Sequence, residues 1–174
     1  ADRSNWTQMR LDPAQPYRLN KQWRRFLSHH FFPHLLKLLN GSTELTPEWK
    51  YNLRKAAILA GQSQFARNLW EAFLYDMIAL EVLLTHPGDK FPDAISERIV
   101  AFFGWVTKED REPWETLVRR LYDLRCKFIH DGQTGDLTLR DLINADMVLA
   151  NLLYNLCGLT RVIRSKQDIL NLAN

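Results

Sequence analysis

Apolar residues along the chain recur at spacings of three and four, and no run alternates as a half-buried strand would. Between Gln64 and Thr85, the positions Leu69, Phe73, Leu80, Leu83 and Leu84 repeat near the helical period. Trp114, Leu117, Leu121, Leu124 and Phe128 form a second such stripe. Leu142, Ala145, Leu149, Leu152, Leu156, Leu159 and Ile163 hold a heptad-like spacing that predicts the longest helix, with Gly158 as a kink point. That seam reads as a bundle core in preference to a coiled coil, which usually sustains more heptads.

Punctuation between these stripes is helical in kind. Thr46-Pro47-Glu48 supplies an N-cap, a proline at the first helical position and an acid in the first turn, so a helix is expected from there to about Ala60. Gly61-Gln62-Ser63 is expected to break or bend it. His86-Pro87-Gly88-Asp89 is a stop signal, and a shorter helix is expected over about 92–103, ending at Gly104. Thr107 to Asp110 and Thr138 to Asp141 resemble capping boxes. Pro113 is expected in a first helical turn, where its missing N–H costs nothing. Residues 1–17 read as an irregular arm and 18–40 as helical in pattern, interrupted at Pro33. Gly41-Ser42-Thr43 reads as a loop. The expected architecture is all-α: a four- to five-helix bundle over residues 46–174, preceded by an arm and basic helical segment over 1–45.

Composition narrows the classes. With 174 residues, 46% of them apolar and 25% charged, the chain can bury one core and is not a disordered sequence. No apolar run approaches membrane-spanning length. Ala1 to Trp6 contains no apolar stretch like a signal peptide. The start at Ala1, without Met, leads to the expectation of a trimmed chain or one domain of a longer protein. Cys126 and Cys157 form no zinc spacing and no CxxC pair, which fits reduced thiols in a cytoplasmic protein. The net charge of +3 is unevenly spread: residues 1–67 carry eleven Lys/Arg against four Asp/Glu, and residues 68–174 carry twelve against sixteen. A basic first third attracts polyanions, or else presents a solvated helix face.

The candidate chemistry lies at Leu121-Tyr122-Asp123-Leu124-Arg125-Cys126-Lys127-Phe128-Ile129-His130-Asp131-Gly132. RNA can be cut without a metal when its own 2′-OH attacks the adjacent phosphate. That reaction needs proton transfer near neutrality, which histidine provides, and a planar cation for the phosphoryl oxygens, which arginine provides. A spacing of five places two side chains about 140° apart on a regular helix. Arg125 and His130 converge only if the helix is ending as His130 is reached, and Gly132 is the expected left-handed terminator. The bare spacing recurs at Arg24/His29 and Arg25/His30, without a terminating glycine.

Tyr122 to Gly132 resembles the R-x4-6-H motif of the HEPN superfamily, closest to its Apea-like branch, in which a Tyr-x-x-Arg-Ser-x-x-x-His-Gly pattern closes a helix. The stretch Phe73-Leu74-Tyr75-Asp76-Met77-Ile78-Ala79-Leu80-Glu81-Val82-Leu83-Leu84 resembles that family's upstream helix. The resemblance spans roughly residues 55–165. It implies an all-α bundle, a metal-independent endoribonuclease of toxin–antitoxin, phage-defence or RNA-processing type, and a homodimer whose two motifs form one composite site. By that resemblance Arg125 binds the scissile phosphate, His130 moves the protons, Glu81 orients from the neighbouring helix and Tyr122 supports. Two departures stand out. Cys126 occupies a place that is usually polar, and Asp131 separates His130 from Gly132, where it would pair with the histidine or repel a phosphate.

His29, His30 and His34 suggest a metal, but Pro33 breaks their register and no nearby Cys joins them, so neither a metal nor a cofactor is expected. His86 reads as a helix-end cation. Aromatic residues interleave with cations from Trp23 to Arg54, a pattern of bundle core or of base stacking. Arg24, Arg25, Lys50, Arg54 and Lys127 are the expected RNA-backbone contacts. Gly61-Gln62-Ser63 lacks the context of a hydrolase nucleophile. RNA, a second copy and a controlling antitoxin or further domain are the expected partners. The alternative is a non-catalytic helical domain that binds protein or RNA through the basic first third.

Overall fold

The computed structural model describes residues 44–103, 108–132 and 135–172, together with Pro33, Leu36 and Asn40, which are helical. Among the described residues the chain is an all-α bundle without strands. Its helices are α1 (Pro47–Phe65), α2 (Leu69–Leu84), α3 (Phe91–Phe103), α4 (Lys108–Asp131), α5 (Leu139–Gly158) and α6 (Lys166–Leu172).

Helix α2 is the axis. Its sequence, Leu69 to Leu84, is apolar around the whole circumference, and such a helix must be covered on every side. Accordingly α2 packs against α1, α3, α4, α5 and α6. Ala72, Phe73, Met77, Ala79, Leu80, Leu83 and Leu84 are buried in the common core. The most extensive helix pair is α1 with α2, joined by the tight turn Ala66-Arg67-Asn68. Asn68 caps α2 by accepting from the Glu71 amide at 2.9 Å, and the Glu71 carboxylate accepts in return from the Arg67 amide at 2.9 Å.

The expected caps at Thr46 and Thr138 are present. Thr46 Oγ1 accepts from the Trp49 amide at 3.3 Å. Thr138 and Asp141 form a full capping box, and Arg120 of α4 grips the same carboxylate through Nε at 2.7 Å and Nη2 at 3.0 Å. Burial pushes the Asp141 carboxyl up, but the hydrogen bonds from Arg120 and Thr138 outweigh it and hold the group below the usual carboxylate range.

Several boundaries differ from the sequence reading. Helix α1 runs straight through Gly61 to Phe65, because Ser63 continues its buried face. Helix α2 starts at Leu69, five residues past the expected Gln64, because Asn68 takes the cap. Pro113 lies inside α4, the sixth residue of a helix beginning at Lys108; Thr107 lies outside the described residues. Among the described residues the longest helix is α4, with 24 residues, and α5 has 20. Helix α5 stops at Gly158 and does not kink, so Leu159 falls past its end and half-exposed, while Ile163 is buried from the following turn. The separate α6 was not foreseen. It sends Lys166 Nζ 2.8 Å to the Val82 carbonyl in the last turn of α2, a cation at the negative end of the axis helix. The segment before it closes on the start of α1, with the Thr46 amide donating to the Arg164 carbonyl at 2.9 Å.

Asp141→Ala is expected to cost about 2 kcal/mol in urea unfolding, because it removes a cap and strands the Thr138 amide. Arg120→Ala should cost less than about 1 kcal/mol, since half of that side chain already meets water. The Asp141 contribution should be full above the ordinary carboxylate range and fade as pH falls below it, toward the lowered value of the folded carboxyl.

Candidate functional site

Helix α4 reaches both ends of α2: Arg125 meets Glu81 in its last turn and Phe128 meets Trp70 in its first. Arg125 approaches Glu81 along two edges, with Nε 3.0 Å from Oε1 and Nη2 donating to Oε2 at 3.2 Å. The Nε edge is close enough for ionic attraction but poorly angled for a hydrogen bond. Both side chains are mostly buried, with 20% and 16% of their surface exposed. The guanidinium also lies 5.8 Å from the centre of the Tyr122 ring, within cation–π range. Burial first, then the neighbouring Cys126 side chain and the Glu81 carboxylate, push the Tyr122 phenol up to about 12. Cys126, one turn on, meets the Tyr122 hydroxyl.

Three residues past Arg125, Phe128 stacks on Trp70 with ring centres 4.5 Å apart and planes 13° from parallel. Beyond that stack the helix leaves the core. Ile129, His130, Asp131 and Gly132 are all exposed. Gly132 does take the left-handed conformation, φ +65°, and its amide donates to the Phe128 carbonyl at 3.0 Å.

The structure thus gathers Arg125, Glu81, Tyr122 and Cys126 into one cluster. It leaves His130 and Asp131 on the solvated last turn. The helix continues past His130 to Asp131, so within one chain Arg125 and His130 keep the wide angular separation of a regular helix. Lys127 is exposed and 3.8 Å from Asp136. Lys50 and Arg54 both lie on α1, about 6 Å apart along its axis by helical rise. Arg24, Arg25 and the His29, His30 and His34 trio lie outside the described residues. Trp49 is core and Tyr51 is exposed. Among the described residues no three His, Cys, Asp or Glu side chains gather as a metal site, and no helix is long and apolar enough to cross a membrane. Cys126 and Cys157 are both free thiols.

One titratable pair escaped the sequence reading. Asp76, in the middle of α2, is fully buried, and neither of its oxygens finds a fixed N–H donor. Its neighbours are the Asp146 carboxyl of α5 and the Ser63 hydroxyl of α1. Gln64 donates to Asp146 Oδ1 at 3.0 Å. Burial first, then the charge and hydrogen bond of Asp146, push Asp76 up to about 8, against a small opposing effect of Ser63. A protonated Asp76 can donate to Asp146, which satisfies both groups. An acid inside a run as apolar as Phe73 to Leu84 was the available signal.

Comparison with protein families, curated proteins and solved structures finds none that matches the chain.

Two outcomes follow. Glu81→Ala should cost about 1–3 kcal/mol in urea unfolding because it leaves Arg125 half-sealed without its acceptor, and Glu81→Gln should recover much of that loss. For Asp76, the folded chain keeps a proton that the unfolded chain releases above about pH 4. Stability from this group is therefore full below that pH and declines as pH rises through about 8. Asp76→Asn should remove that decline, so its urea midpoint gains on the parent between pH 5 and pH 8; parallel profiles would refute the buried proton.

Proposed function

We propose that the chain is a HEPN-type endoribonuclease that cuts RNA without a metal, acting as a homodimer. The observation that carries this reading is the ending of α4: Arg125 anchored on Glu81, then His130 and a left-handed Gly132 on an exposed last turn. Glu81 engages the Nε edge and one Nη2 hydrogen of Arg125, which leaves about three of its five N–H groups to face phosphoryl oxygens. The Tyr122 ring lies beneath the same guanidinium.

In the reaction, the His130 imidazole takes the proton of the 2′-OH. The 2′ oxygen then bonds to phosphorus, and the bond from phosphorus to the 5′ oxygen breaks. The departing oxygen takes up a proton from imidazolium, leaving a 2′,3′-cyclic phosphate and a 5′-hydroxyl. Arg125 stabilises the charge on the five-coordinate phosphorus. Because His130 and Arg125 of one α4 diverge, the working pair is assembled from two copies whose α4 ends face one another across a shared cleft. Toxin, phage-defence or RNA-processing roles fit such an activity.

A second reading rests on the neutralising effect of Glu81. If that pair serves only to tie α4 to α2, the domain is a non-catalytic binder of protein or RNA.

Incubation with single-stranded RNA in excess EDTA separates the two. Cleavage is expected to persist, with cyclic-phosphate ends. His130→Ala is expected to slow it by about 100-fold or more, with the thermal melt unchanged. Arg125→Lys keeps the charge but not the planar fork and should also cut poorly. Cleavage that stops on chelation, or that survives His130→Ala at full rate, would overturn the proposal.

A further inference from the structure

Helix α1 is apolar on two opposite faces. Trp49, Leu53, Ala56 and Ser63 point into the core. Turned about 180° from them, Tyr51, Ile58 and Phe65 face outward, and they are 64%, 60% and 63% exposed. Their spacing of seven, repeated twice, makes one straight ridge about 21 Å long. A concavity of about 690 Å³ runs along it, lined among others by Lys50, Tyr51, Arg54, Lys55, Ile58 and Leu59. Among the described residues that line it none is acidic. Among the described residues none of its three cations is ion-paired.

We infer that this face of α1 docks an acidic amphipathic helix of a partner protein. The apolar ridge and the flanking cations set the requirement: a helix with apolar residues every three and four positions and Glu or Asp on the positions beside them. Three bulky apolar side chains left this open form the kind of patch that marks an interaction surface. The charge selects among occupants. Residues 1–43 of the chain itself carry seven Lys/Arg against two Asp/Glu, the same sign of charge as the cations of the groove, so their sequence does not supply the complementary acids. A single nucleic-acid strand would satisfy the cations but would cover Ile58, Leu59 and Phe65 poorly. Base stacking needs closely spaced flat rings, and among the described residues this face offers two, Tyr51 and Phe65, at opposite ends of the ridge. The inference stands apart from the Arg125–His130 reading and survives if that reading fails.

The test uses the full chain and a fluorescein-labelled 21-residue peptide. The peptide has Leu at the first and fourth positions of each heptad and Glu on the flanking positions; a twin carries Lys for Glu. Anisotropy should show the Glu peptide binding at least about tenfold more tightly than the Lys peptide. The triple charge reversal K50E/R54E/K55E should invert that preference. Ile58→Ser should weaken the Glu peptide by about tenfold, with an unchanged thermal melt for both variants. Three results would overturn the inference: no binding of either peptide, equal binding of both, or a 12-nucleotide single-stranded RNA that displaces the Glu peptide at lower concentration and loses affinity with the charge reversal.

Discussion

A helix that is apolar on all sides cannot remain in water, and most of this fold is the consequence of hiding α2. Every other described helix lies against it. The same helix carries three acids, Glu71, Asp76 and Glu81, at steps of five residues. Steps of five rotate each acid by about 140° from the last, so the three point toward different neighbours. Glu71 serves the turn from α1. Asp76 meets α5, where no cation waits, and it keeps its proton instead. Glu81 meets α4 and finds Arg125. A buried acid must be paired, hydrogen-bonded or neutral, and here each condition is met once or more.

The consequence for the candidate site is a graded helix. Along α4, Arg120 is tied to the cap of α5, Arg125 to Glu81 in the last turn of α2, and Phe128 to Trp70 in its first. After Phe128 the lateral ties stop, and the last turn is open. Chemistry placed there would have one anchored member and one free to meet a partner, which suits a site completed by a second copy better than one closed within a single chain.

The helices were legible because burial is periodic and caps are local. Thr46, Thr138 and the stripes of α4 and α5 announce themselves in a few residues each. What was hard to see was tertiary. Gly61 looks like a breaker until the core requires Ser63 on the same face. Gln64 looks like a helix start until Asn68 captures the Glu71 amide. Pro113 sits deeper in α4 than its missing N–H suggests. At the candidate site, the Arg125–His130 spacing was readable, and the upstream stretch pointed to Glu81 as a neighbour. The angle between Arg125 and His130 was not readable, since it depends on whether the helix stops one residue sooner or later. The Asp76–Asp146 contact joins positions 70 residues apart, and only packing brings them together.

The two-faced character of α1 raises a question of rotational register. A half-turn about its axis would bury Tyr51, Ile58 and Phe65 in place of Trp49, Leu53 and Ala56, with no loss of apolar area. Such a spin would also carry Arg54 and Lys55 beneath α2, where nothing could hydrate them. The cations therefore act as a keel: by refusing the interior they settle which side of the helix goes in.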